Sequence, residues 1–164
     1  SPYNGLANVY IVTGNYTLSS SDISAINNLI EPRTYIVENG NLTIPSNITA
    51  GKNVAFVVRG WDIVVDNSVT QIDGTYIAIK SGSTGWLIRA NNNAGTDSQI
   101  VVNGSLYGNV ENLVQNRQYI SQDAATNQLS VGTIVSFGSG IFHKPAPLVS
   151  QFVGEYLDSE KVAR

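Results

Sequence analysis

The chain has 164 residues, a formal net charge of −3, 42% hydrophobic residues and only 13% charged ones, about half the usual charged share of roughly 25%. It has no basic cluster that could meet a nucleic-acid backbone, and no apolar run approaches the ~18 residues of a membrane-spanning helix. Zero Cys excludes disulfides, thiolate metal sites and cysteine nucleophiles. Met is also missing, which leads us to expect a processed form or a fragment of a longer product.

In chain order, residues 1–20 read as a first strand pair around Gly14. Residues 22–30 switch to a helical period, with Ile23, Ile26, Leu29 and Ile30 in the pattern of a short helix and Ser21 or Asp22 as N-cap. Pro32 ends that helix, because it lacks a donor and forces Glu31 toward extended backbone. Residues 34–107 form the repetitive body. Glycines recur at Gly14, Gly40, Gly60, Gly82 and Gly104, at spacings of 26, 20, 22 and 22 residues, most of them after a β-branched run. Residues 47–60 align with residues 68–82: a small polar residue, Ile or Val, Thr, a turn, an apolar strand, a polar residue and Gly.

Self-similarity near 20–22 residues, with short strands in each unit, predicts one turn of a parallel β-helix per repeat. In that reading the five glycines are corners, where the chain turns through positive φ. An antiparallel β-sandwich is the alternative, since it also needs a turn every 8–12 residues or so. Residues 83–99 interrupt the pattern, with a strand at Trp86–Ile88 and a projecting loop over 89–98. Residues 108–130 are polar and weakly periodic. A strand follows at Thr133–Phe137, then a helical face of Leu148, Val149, Phe152, Val153, Tyr156 and Leu157, for which β-branched content and Gly154 leave an extended alternative open. We expect one domain: an N-terminal strand and helix cap over 1–33, coils over 34–107, and an irregular region ending in a helical cap over 108–164.

The strand–Gly–strand pattern at Gly40, Gly60 and Gly104, with the aligned Asn/Ser-Ile/Val-Thr segments between, resembles the right-handed parallel β-helix domains of bacterial surface proteins. Polymer-forming β-helices of the bactofilin type are a more distant comparison. The resemblance covers about residues 35–107 and is architectural. It implies a structural or adhesive role more often than an enzymatic one, at an extracellular or cell-surface location. β-Helical polysaccharide lyases and hydrolases share the architecture, so the fold alone assigns no chemistry.

Candidate chemistry is sparse. His143 is the one histidine, readable as a general base, a metal ligand or a plain loop residue beside Lys144; with no Cys, a metal there would need carboxylates. Asp62 and Asp66 stand four apart, on one face if their segment is a strand, and Asp73 follows in the next segment. They read either as a paired-acid site or as solvated surface acids. No calcium-binding Asp run is present, and no metal or cofactor is expected.

Trp61, Trp86, Tyr76 and Tyr107 near the turns read either as a stripe that stacks on sugars or as packing residues. The Gly-Asn corners and Asn91–Asn93 are candidates for Asn ladders along the stack. Four glycosylation sequons, at Asn15, Asn41, Asn47 and Asn103, largely coincide with the turn pattern. The reading favours a non-catalytic structural or adhesive module whose partners are copies of itself or surface glycans. A carbohydrate-binding or polysaccharide-degrading domain is the alternative.

Overall fold

Every pairing between the strands of the described residues is parallel. The computed structural model describes residues 4–50, 54–82, 85–91, 98–117, 133–136 and 146–162. Its elements are β1 (Val9–Thr13), β2 (Tyr16–Thr17), α1 (Ser20–Asn27), β3 (Arg33–Glu38), β4 (Leu42–Ile44), β5 (Val54–Arg59), β6 (Ile63–Val65), β7 (Gln71–Ile79), β8 (Ile88–Ala90), β9 (Ile100–Tyr107), α2 (Glu111–Asn116), β10 (Thr133–Ser136) and α3 (Val149–Val162). They form a six-stranded sheet, β1-β3-β5-β7-β9-β10, and a four-stranded sheet, β2-β4-β6-β8. From β1 to β9 the chain alternates between the two sheets, so each neighbour within a sheet comes from the next turn of the chain; β10 then follows β9 in the same sheet. Antiparallel pairing is absent among these strands, which overturns the β-sandwich alternative. Two parallel sheets stacked in register are consistent with a parallel β-solenoid.

Register makes the core a set of ladders. Leu42 lies beside Ile63 and then Ile88, and Ile44 beside Val65 and then Ala90. Ile48 bridges to Ile72, which pairs with Val102. Tyr10, Tyr35, Phe56 and Tyr76 occupy one register position of the six-stranded sheet. Their rings stack at centroid separations of 5.4, 5.3 and 5.4 Å, within the offset-stacking range for aromatic pairs. Parallel strands buried on both faces read as continuous apolar runs, and Val54–Val58 and Ile63–Val65 are buried throughout.

The second buried face of the six-stranded sheet has its own cover. Ile36, Val57, Ile77 and Ile79 point away from the ladder core and pack with Phe152 of α3, alongside Val153 and Tyr156. The expected helix is therefore present, packed through Leu148, Phe152, Val153 and Tyr156 with Leu157 left exposed, but it lies on the flank of the sheet and not over the end of the stack. Arg59 joins the two elements: it pairs with Glu155, and its guanidinium sits 5.2 Å from the Phe152 ring centre. At the N-terminal end, α1 sends Ile23 and Ile26 into the core. Its N-cap is Ser19, in a capping box with Asp22.

The glycines divide into two kinds. Gly14, Gly60 and Gly82 have φ of 90°, 72° and 63°, as corners require. Gly40 and Gly104 are not at positive φ and are needed for close approach. A Cβ on Gly40 would fall 2.1 Å from the backbone of Gly14. Gly104 is no corner between strands: it lies inside β9, in register with Gly74 of β7, and a Cβ there would sit 1.7 Å from the Gly74 carbonyl oxygen. Gly74, at φ 115°, lies within the continuous strand β7. The C-terminal half of that strand pairs with β5, whereas β10 pairs with the N-terminal half of β9.

Arg117, just after α2, is buried and donates to the carbonyl oxygens of Asp66 and Val69 at 2.7 Å and Asn67 at 3.1 Å. It thereby ties the turn after β6 to the segment that follows β9. The short α2 falls in a stretch whose sequence carried no helical period.

Candidate functional site at the Trp61 corner

The corner between the sheets is held by a column of Asn and Asp side chains. Asn15 Oδ1 accepts from the Asn41 backbone N–H at 2.9 Å, Asn41 Oδ1 from the Asp62 N–H at 2.8 Å, and Asp62 Oδ1 from the Leu87 N–H at 3.2 Å. These partners are 26, 21 and 25 residues apart, one turn of the chain each. A second column starts at Asn27, which accepts from the Thr49 N–H, and continues at Asn47, which accepts from the Thr70 N–H. At the Gly-Asn corners, Asn15 and Asn41 do bridge successive turns, but by amide-to-backbone hydrogen bonds and not by the stacked amides expected; Asn47, outside those corners, does the same. Asn92 and Asn93 lie outside the described residues. Three of the four sequon asparagines, Asn15, Asn41 and Asn47, are column members, and Asn103 donates to Asp73 at 2.8 Å. Turn-to-turn bonding thus accounts for their positions.

The same logic absorbs the acids. Besides the Leu87 N–H, Asp62 binds Arg89 Nε at 2.9 Å. Asp66 Oδ1 accepts from the Ser68 N–H, and its Oδ2 from Asn91 Nδ2, each at 3.4 Å. Asp73 is buried and accepts from Gln71 and Asn103 side chains at 2.9 and 2.8 Å. The described residues contain no group of three or more His, Asp or Glu side chains able to hold a metal. His143 lies outside the described residues.

The four aromatic candidates separate sharply. Tyr76 is fully buried inside the ring stack, and its hydroxyl donates to the Asp73 carbonyl at 2.9 Å. Burial pushes that hydroxyl well above the ordinary phenol range, and the Asp73 charge adds to the effect. It is inaccessible to a ligand, so the expected four-residue stripe is not formed. Tyr107 packs edge-on against Tyr156 of α3 at 6.0 Å. Trp86 carries the Lys80 ammonium 4.2 Å from its ring centre, so one ring face is taken by a cation–π contact. Trp61 is 45% exposed.

Trp61 borders a groove of about 440 Å³, lined also by Asn39, Asn41, Arg59, Asp62 and Ser81, with Gly60 and Gly85 contributing backbone. The size falls within the roughly 300–1,000 Å³ typical of small-molecule sites. Gly60 before Trp61 and Gly85 in the next turn pack closely at this corner: a Cβ on Gly85 would lie 2.1 Å from the Gly60 carbonyl carbon. Trp61 and Asp62 were legible as candidates. Asn39, Arg59 and Ser81 were not, because they meet only through the register of successive turns. Arg89 reaches Asp62 from 27 residues away, across the irregular insertion before β8 that blurs the repeat.

Comparison with protein-family models, with curated proteins and with solved structures finds no match.

Proposed function

We propose that this chain is a right-handed parallel β-helix module of an extracellular or cell-envelope protein, with a structural or adhesive role and no catalysis of its own. The right hand follows from the strong preference of parallel crossovers for it. The observation that carries the functional reading is the engagement of the corner acids. Asp62, Asp66 and Asp73 each bind neighbouring backbone or side chains, so the candidate acid pair, Asp62 and Asp66, works as part of the scaffold. Incubation with a wide panel of polysaccharides should release neither reducing ends nor unsaturated products. Turnover that Asp62→Asn abolishes would overturn the reading.

Assembly with further copies fits the same role. Among the described residues, β1 and β10 are the outermost strands of the six-stranded sheet, and Tyr10, Ile134 and Val135 on them are exposed. Outer strands of this kind template further pairing. Light scattering across a wide concentration range should detect association, and a strictly monomeric species would count against it.

The second reading, a carbohydrate contact, is favoured by the exposed Trp61 at the corner groove. Glycan binding that disappears on Trp61→Ala is the expected result for this reading, and silence across a broad glycan array would sink it.

A further inference from the structure

Assuming that the Trp61 groove binds carbohydrate, the pairing of its charges points to the class of sugar. We infer that the groove takes an uncharged saccharide and discriminates against uronates and amino sugars. The groove has two charged members, Arg59 and Asp62. Each already has an oppositely charged partner outside the lining: Arg59 is bound to Glu155 on α3, and Asp62 to Arg89 at 2.9 Å. A sugar carboxylate would share Arg59 with the Glu155 carboxylate or displace it, and a sugar ammonium would share Asp62 with the Arg89 guanidinium or displace it. Either way two like charges crowd one partner or a half-buried charge loses its own, and both are costly.

The remaining chemistry is neutral. Trp61 offers an indole ring to the C–H face of a pyranose. Asn39, Asn41 and Ser81 bring amide and hydroxyl groups, which donate to and accept from sugar hydroxyls. A planar apolar platform flanked by a few polar groups is the usual composition of a site that fixes orientation without charge. The groove volume accommodates a mono- or disaccharide unit.

Arg59 makes the inference sharper, because it links the groove to α3. Its guanidinium lies against the Phe152 ring and pairs with Glu155. Removing the Glu155 charge leaves the arginine available to an incoming anion. Glu155→Gln should therefore relax the discrimination against uronates while leaving Trp61 untouched.

The test is calorimetric titration of the full chain, and of Trp61→Ala and Glu155→Gln, with neutral gluco- and galacto-oligosaccharides and with oligouronates. The Trp86→Phe variant leaves Trp61 as the only tryptophan and gives a fluorescence readout in parallel. Neutral oligosaccharides should bind and should perturb the Trp61 emission. Trp61→Ala should weaken them by about tenfold or more. Oligouronates should bind the wild type at least about tenfold more weakly than neutral sugars and should gain on Glu155→Gln. Oligouronates binding the wild type as well as neutral sugars do would overturn the inference and leave the carbohydrate reading standing. Binding of no sugar of either kind would overturn both.

Discussion

Asp62 and Asp73 have similar duties at two corners of the same stack, yet one corner opens onto a groove and the other closes completely. At Gly60, Asp62 accepts from the next turn and its neighbour Trp61 remains exposed. At Gly74, Asp73 accepts from Asn103 of the next turn, and the corner is buried in continuous strand, with Gly104 lying directly on Gly74. The difference comes from what flanks the acid. Around Gly74 the strand runs unbroken from Gln71 to Ile79, so pairing continues through the bend. Around Gly60 the chain crosses from β5 to β6 in the other sheet; its backbone still bonds the neighbouring turns, Gly60 N–H to the Ile79 carbonyl at 2.7 Å, but the Trp61 side chain points outward and is exposed. This stack gains a surface site where the chain crosses from one sheet to the other.

The largest contrast should come from the glycines. Gly104→Ala places a methyl on the Gly74 backbone and should cost about 4 kcal/mol or more, enough to prevent a stable fold. Gly82→Ala meets open space and only the penalty of φ 63°, about 1–2 kcal/mol. Denaturant titration of the two variants measures the gap, and equal losses would mean that the closed corner is looser than described.

Aromatics give the next contrast. Tyr76→Ala removes a fully buried ring from the stack and should cost about 3–5 kcal/mol. Trp61→Ala, at the open corner, should cost about 1 kcal/mol, near the average for a single substitution. Their melting temperatures check the ordering.

The smallest effect lies at the N-terminal end, away from both corners. Hydrogen bonds from the Ser19 hydroxyl and backbone N–H hold Asp22 below the usual carboxylate range. A depressed folded pKa means that the contribution is complete above the unfolded value of about 3.9 and is lost as pH falls through the folded value. Asp22→Asn should therefore lower the melting temperature slightly at pH 7, and the difference should shrink toward pH 2. The nearby Tyr16 hydroxyl, raised to about 12 mainly by burial and then by its bond to Asp22, stays protonated throughout.

Much of the architecture was legible because each turn repeats the same burial demand. Val54–Val58 and Ile63–Val65 declared themselves as buried parallel strands, and the five-glycine spacing marked the successive turns. The meaning of individual glycines was less legible. Gly104 looks like Gly60 in sequence, since both follow a β-branched run and a polar residue, yet one sits in a strand and the other in a corner. Only the register against Gly74 distinguishes them.

The site was half visible. Trp61 and Asp62 stand out as an exposed-type aromatic beside an acid, but the role of Asp62 depends on Leu87 and Arg89, one turn away. The irregular length of that turn hid the pairing. Tyr76 misled for the opposite reason: a tyrosine two residues from a glycine fits a turn or a core ladder equally well, and the ladder through Tyr35 and Phe56 decides it.

The column of acceptors at the open corner is the center of the account, and Asp62 tests it. Asn occupies this position in both preceding turns, as Asn15 and Asn41, and needs only its carbonyl oxygen. Thermal unfolding of Asp62→Asn and Asp62→Ala is therefore the direct measurement. The asparagine variant keeps the acceptor for the Leu87 N–H, loses only the charge of a partly exposed ion pair, and should melt within about 3 °C of the wild type. The alanine variant loses the acceptor, costs about 1–3 kcal/mol, and should melt lower still, by roughly 3–10 °C. Equal melting temperatures for the two variants would contradict the account.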